Sequence, residues 1–329
     1  QREAWRRAFV DVMGSLADYL APKELHEQRG PFHWHGVNFH TALAEAEMLG
    51  VDDSFAALTQ VLGAFAQNQR DFASAEQRYT ALAEHHKQRD NPEGQAASYH
   101  QLGRIAQERR DFAAAERWYQ KSLAISEKHN YTFGVASTYH QLGKNAEEQR
   151  DLIIAEGWYQ KALATKEKYG YMLEMASTYH HLGRVAGERR DFATAEQWYQ
   201  KALVVWEKHG NEHGAASTYH QLGRIAEEVR DLVAAKQWYQ KALIIEEKSD
   251  DEHWAATTYH QLGKIAVEQR DLAVAVRWYR KALAAFEVRQ RAWSGERLSP
   301  VRICCPRTKG FRDGRSVVSE SAGGVGKVR

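Results

Sequence analysis

The sequence predicts an all-α fold, a solenoid of stacked helix-turn-helix units, on three observations. A block such as "ASYHQLGRIAQERRDFAAAERWYQKSLAI", beginning at Ala97, returns every 40 residues without insertion. Such a period marks a repeat architecture. No proline lies between Gly94 and Trp293, and proline is the residue that continuous helix excludes. Within each block the apolar residues fall at helical spacing, as with Tyr99, Leu102 and Ala106, which lie on one face at i, i+3 and i+7.

The elements follow in order. Residues 1–53 read as a helical capping or linker region, with an amphipathic helix over Arg2–Leu20, a break from Pro22 to Pro31 and a second helix over Val37–Leu49. Residues 54–293 hold six units, five of them closely matched. The columns are Tyr99/139/179/219/259, Gly103/143/183/223/263, Asp111/151/191/231/271, Trp118/158/198/238/278 and Tyr119/159/199/239/279. In each unit Arg-Asp breaks the first helix, and the aspartate is a good N-cap for the second. Lys128 suits the negative end of its helix, and Gly170 and Gly210 suit C-cap turns. The glycine column supplies small surfaces where helices approach closely. One hairpin cannot bury its own apolar face, but stacked hairpins can. Residues 294–329 lack a period, are rich in Gly, Ser and Arg, and are expected to be a disordered basic tail.

This pattern resembles the tetratricopeptide repeat. The residues that carry the likeness are Tyr179, Leu182, Gly183, Ala195, Tyr199 and Ala202, repeated across about 54–293. The resemblance implies a right-handed α-solenoid that binds protein, with the first helix of each unit lining a concave groove. The unit is longer than the family's usual one and lacks its closing proline, which bears on the turns. It looks like the longer-helix variety found in bacterial signalling arrays and animal spindle-orientation adaptors. The stretch "NFHTALAEAEMLG" at 38–50 resembles the helical region that joins a bacterial STAND-type, NB-ARC-like ATPase to its repeats. It implies an alternative: the sensing arm of a larger signalling protein, fused to or associated with a nucleotide-binding domain.

Charge narrows the partners. Residues 289–329 carry +7, which leaves the body at −5. That balance argues against nucleic acid, which needs a concentrated basic face. No apolar run is long enough to span a membrane, and the first twenty residues do not read as a signal peptide. The only cysteines, Cys304 and Cys305, are adjacent and form neither a disulfide framework nor a four-ligand metal site. A cytoplasmic protein without cofactor is expected. "SAGGVGK" at 321–327 has Ser321 and Val328 where a phosphate loop needs glycine and a hydroxyl residue. Histidines one repeat apart stand on the order of 10 Å from each other, too far to share a zinc ion. No nucleophile elbow or HExxH occurs, and pairs such as Glu147-Glu148 recur with the period, so they read as a solvated face.

The binding residues expected are polar and periodic. His100/Arg104, His140/Lys144, His180/Arg184, His220/Arg224 and His260/Lys264, each with a glutamate four residues on, form one stripe of the first helices. The resemblance places that stripe in the groove; the competing reading is a solubilising ladder of ion pairs worth little. Gln101, Gln141, His181, Gln221 and Gln261 lie beside it. The tryptophan column, with Lys121/161/201/241/281, reads as packing between helices with cation–π contacts, and its rival reading is an exposed aromatic strip for partners. The function expected is a non-enzymatic scaffold holding a partner peptide or helix, with histidines that would charge near pH ~6.5.

Overall fold

The computed structural model describes residues 1–23, 25–249 and 252–294, in fourteen helices with no strand among them. They are α1 (Arg2–Leu20), α2 (Leu25–Leu49), α3 (Asp52–Asn68), α4 (Phe72–Gln88), α5 (Pro92–Glu108), α6 (Phe112–Lys128) and α7 (Thr132–Glu148). After these come α8 (Leu152–Tyr169), α9 (Met172–Glu188), α10 (Phe192–Lys208), α11 (Glu212–Glu228), α12 (Leu232–Lys248), α13 (Glu252–Glu268) and α14 (Leu272–Ser294). The tail expected beyond Ser294 lies outside the described residues.

From α3 onward the helices pair as six hairpins, and each packs on its predecessor and successor. The first helices α5, α7, α9 and α11 also touch one another in succession, which puts them on the inner radius of the stack. The core runs the length of the array between the layers. It is built from Ala115/155/195/235 and Tyr119/159/199/239, all essentially without solvent contact. The glycine column explains why a tyrosine fits there. A Cβ at Gly103, Gly143, Gly183, Gly223 or Gly263 would stand 2.5–2.7 Å from the tyrosine ring of its own hairpin, so the ring occupies the place of the missing side chain.

The turns repeat more finely than the hairpins. Arg70, Arg110, Arg150, Arg190, Arg230 and Arg270 have φ between 60° and 63°, and Asp90, Asn130, Gly50, Gly170 and Gly210 occupy the same left-handed region. From Gly50 to Arg230 these positions are twenty residues apart. At each, a Schellman pair closes the helix: Asp111 N–H donates to Ala106 O and Arg110 N–H to Gln107 O. Within hairpins the following aspartate then caps the next helix, as where Ala114 N–H donates to Asp111 Oδ1 at 2.9 Å; between hairpins Asn91 and Asn211 do so, and Val51, Tyr131 and Tyr171 make no side-chain cap. Turns between hairpins therefore use the same geometry as turns within them, and no closing proline is needed. An L-residue in this region costs about 1–2 kcal/mol, while a glycine loses about 0.5–1 kcal/mol more than other residues on ordering. Arg110→Gly, Arg150→Gly and Arg190→Gly should each raise stability by up to about 1 kcal/mol, read as urea midpoints. A fall would show that the arginine side chain is needed there.

The N-terminal region departs from expectation. Helix α1 ends at Leu20, and α2 starts at Leu25 with Pro31 inside it. Proline removes one helical hydrogen bond, but packing holds the segment. Gln28 Nε2 donates to Leu20 O at 3.1 Å and Lys23 O at 2.8 Å. Phe32 stacks on Phe65 of α3 at 3.8 Å. Burial of Phe32 and Phe39 with Val10 and Leu58 outweighs one lost bond.

Candidate functional site

The inner face begins with the histidines. Each lies against the tyrosine of its own hairpin, with ring centroids 5.1–5.5 Å apart from His100 to His260. Nδ1 of four of them meets a threonine hydroxyl of the next first helix. His100–Thr138 is 3.3 Å, His140–Thr178 3.2 Å, His180–Thr218 3.0 Å and His220–Thr258 3.4 Å. The column is thus a ladder of joints between layers. Burial, with a smaller contribution from Arg104, pushes His100 down to about 4. Burial and His181 push His180 to about 3, burial and Arg224 push His220 to about 4, and His140 falls well below its ordinary value for the same first reason. The expectation that these four charge near neutrality is therefore corrected: a ring between two layers has lost the water that would stabilise its charge. His260, on the last hairpin, is exposed.

The cations of the stripe stay at the surface of the groove. Arg104 donates to Gln101 at 3.2 Å, Arg224 to Gln221 at 3.1 Å and Lys264 to Gln261 at 3.1 Å. Two of the glutamates, Glu108 and Glu148, look along the array instead of to their own cations. Glu108 accepts from Gln67 at 2.5 Å and Glu148 from Gln107 at 2.9 Å.

The tryptophan column is packing. Trp118/158/198/238/278 stack on Tyr99/139/179/219/259 at 5.5–5.8 Å. Lys121, Lys161, Lys201, Lys241 and Lys281 sit 4.2–5.3 Å from the tryptophan ring centroids.

Against this regular background one region breaks step. Glu147, Lys166 and His181 stand where the preceding copy carries Gln107, Ser126 and Gln141 and the following one Gly187, Trp206 and Gln221. Glu147 is buried and not part of a solvated face. Its carboxylate accepts from Tyr159 at 2.7 Å, meets His181 Nδ1 at 2.9 Å and pairs with Arg184 at 3.0 Å. Burial raises Glu147, but His181, Arg184 and Tyr159 outweigh it and hold the carboxyl below the usual range. Lys166 is buried too, donating to Glu174 O at 2.9 Å and Thr178 Oγ1 at 2.7 Å. Desolvation brings its amine down to about 8. The clue in the sequence is His181, which stands among Gln101, Gln141, Gln221 and Gln261 in its column.

Beside this cluster the groove opens into two adjoining cavities of about 440 and 270 Å³. His100 and Gln101 line the first, His140, Gln141 and Lys166 the second, and Phe133, Ser137 and Tyr171 border both. Phe133 is 54% exposed and meets Tyr171 edge-on at 5.5 Å. Tyr171 OH lies 2.7 Å from Thr132 Oγ1. The corresponding pairs in the other copies with described side chains are Asp53 with Asn91, Glu93 with Tyr131 and Leu173 with Asn211, so among them the aromatic pair occurs in one place. No three His, Cys, Asp or Glu side chains converge as a metal site requires among the described residues. No described helix is long and apolar enough to cross a membrane.

A hairpin stack with an inner polar face and this column pattern defines a helical-repeat protein. The tetratricopeptide repeat family model matches residues 53–128, 174–248 and 214–287, and a second tetratricopeptide repeat model matches 135–169. The chain belongs to the tetratricopeptide repeat family. No curated protein sequence matches it. Among solved structures, apo RapI aligns with a TM-score of 0.64 at 13% identity, covering 86% of this chain and 99% of that one. BtubC (BKLC) from P. vanneervenii aligns at 0.61 and 19% identity, covering 77% and 98%. The Rap conjugation gene regulator of plasmid pLS20, in complex with the Phr* peptide, aligns at 0.55 and 14%, covering 89% and 98%.

Proposed function

We propose that this chain is a non-enzymatic scaffold that holds a peptide segment of a partner protein in its inner groove. The observation that supports this most is the cleft at Phe133 and Tyr171, an aromatic pair open to solvent between two cavities in an otherwise uniform face. The flanking stripe supplies the polar part of the contact. Arg104, Lys144, Arg184, Arg224 and Lys264 offer charge, and the glutamines beside them can pair with a peptide backbone. The histidine rings contribute edges of the cavity walls, and His100 and His140 act as neutral groups. Peptide capture by the pLS20 Rap regulator, which shares the fold, is compatible with this reading, which for this chain rests on the cleft.

The test is selection of binding peptides from a displayed random library on the full-length protein, followed by calorimetry on variants. Phe133→Ala should weaken the selected peptide about tenfold or more, since a buried aromatic anchor contributes on the order of 1–2 kcal/mol or above. An Arg104→Gln/Lys144→Gln pair should weaken it less and reduce the salt dependence. Unchanged affinity in both variants would move the binding surface out of the groove.

A further inference from the structure

The buried tyrosine of a hairpin needs a partner for its hydroxyl, and the residue four places after the packing glycine supplies it. Tyr119 OH donates to Gln107 Oε1 at 2.9 Å, Tyr159 OH to Glu147 Oε2 at 2.7 Å and Tyr239 OH to Glu227 Oε2 at 2.5 Å. The two glutamates also meet the cation of the following first helix. Arg184 lies 3.0 Å from Glu147 and Lys264 lies 3.4 Å from Glu227. In the hairpin of α9 and α10 the same position is Gly187, which has no side chain to offer.

Both partners of the absent side chain are nevertheless in place. Tyr199 is 1% exposed, and its hydroxyl meets no hydrogen-bond partner among the described residues. Arg224 donates to Gln221 and pairs with no carboxylate among the described residues. Where Glu147 and Glu227 have their carboxylates, a cavity of about 150 Å³ opens instead, bordered by Gly187, Tyr199, Arg184 and Arg224. A Cβ at Gly187 would stand 3.2 Å from Ile225 Cδ1, the movable end of a side chain. Ile265 holds the same register position beside Glu227, so an isoleucine there coexists with a filled slot. The other charged groups around the cavity are Arg190, Glu188 and Glu228. Glutamates hold those two register positions around Glu147 and Glu227 as well, and both slots still carry a carboxylate.

We propose that the slot at Gly187 binds a carboxylate from outside the chain, seated as Glu147 and Glu227 are in their own hairpins, with Tyr199 and Arg224 as its donors. A carboxamide would satisfy Tyr199 as Gln107 satisfies Tyr119, but it would leave Arg224 without an anion, and hydrogen bonds to charged groups are the stronger ones. The group belongs to an acidic side chain of a bound peptide or to a free small carboxylate. The peptide as source rests on the scaffold reading above, whereas the slot itself does not. Tyr171 and Gly187 lie at opposite ends of α9, about 24 Å apart by helical rise, so the slot and the Phe133 cleft are separate contacts.

The probe is propionate, the side chain that Gly187 lacks relative to glutamate. The full chain, labelled with nitrogen-15 glycine and ring-labelled tyrosine, is titrated with propionate at constant ionic strength near neutral pH. The Gly187 amide and the Tyr199 ring are expected to shift saturably with a Kd in the millimolar range, and propionamide should bind several-fold more weakly. Arg224→Gln and Tyr199→Phe should each weaken propionate about tenfold. Tyr199→Phe removes a hydroxyl that holds nothing inside the protein, so its fold is kept. In Gly187→Glu the Tyr199 ring should no longer respond. Absence of a saturable shift, equal affinity for propionamide, or an unaltered titration in Arg224→Gln overturns the proposal. Phe133→Ala should leave the propionate titration unchanged, so the slot and the peptide cleft can fail separately. The sources are distinguished with a selected peptide. If replacing its glutamate by glutamine weakens binding to wild type but not to Gly187→Glu, the peptide supplies the carboxylate. If propionate binds and the peptide's acidic residues make no difference, a free small carboxylate is the ligand.

Discussion

Acidification from about pH 6.5 to about pH 4 is expected to destabilise the array by on the order of 5–10 kcal/mol through three histidines. His100 and His220 are held at about 4 and His180 at about 3, against an ordinary 6.5, chiefly because they are buried. The sign follows from proton binding. In the unfolded chain these rings take up protons as the pH falls through 6.5, while in the folded array they stay neutral. The unfolded state then binds more protons, so the stability present above 6.5 is lost as the pH falls toward the folded values. His100→Gln/His180→Gln/His220→Gln should start from a lower urea midpoint at pH 7 if the threonine joints matter, and should fall less steeply with acid. Equal slopes in the two proteins would assign the acid sensitivity to carboxylates.

Gly183→Leu is the substitution expected to do most local damage. The first atom of any side chain there would lie 2.7 Å from the Tyr199 ring, and Tyr199 is closed in on all sides. Overpacking commonly costs about 1–3 kcal/mol, and this site has no room to relax without parting α9 from α10. Hydrogen exchange should quicken first around Tyr179–Tyr199 and then in the adjoining hairpins, because each layer touches only its neighbours. Gly157 is the control. A Cβ there meets nothing within 4 Å, so Gly157→Ala should gain about 0.5–1 kcal/mol from helix propensity. Unchanged protection in Gly183→Leu would mean that the tyrosine can leave its slot.

The hairpins, their caps and their glycines were legible because each depends on residues close in sequence or repeated in register. Asp111 announces a cap by its place after a helix, and the Trp118 and Lys121 columns announce packing by their spacing. Pro31 misled because the bonds that keep α2 helical come from Gln28 and from Phe65 on another helix. The histidines misled for a similar reason. Their helical position is readable, but whether a ring at that position meets water depends on Tyr119 from its own hairpin and Thr138 from the next. Of the cluster, His181 stands out in a column otherwise of glutamines, whereas the columns of Glu147 and Lys166 change from copy to copy and carry no such signal. Periodicity alone gave Glu147 to the solvated face, although a carboxylate beside an arginine and a tyrosine is at home in the interior.

The left-handed turn recurring every twenty residues has a consequence for how such a chain can change length. Removing residues 151–190 joins Arg150 to Asp191, which is the same junction of arginine, turn and aspartate cap that either neighbour already makes. Loss or gain of a whole 40-residue unit would therefore drop or add a layer without leaving a scar in the backbone. That particular excision would carry away Lys166 and Tyr171 but leave a continuous superhelix, so the reach of the groove and the chemistry of its cleft can be inherited separately.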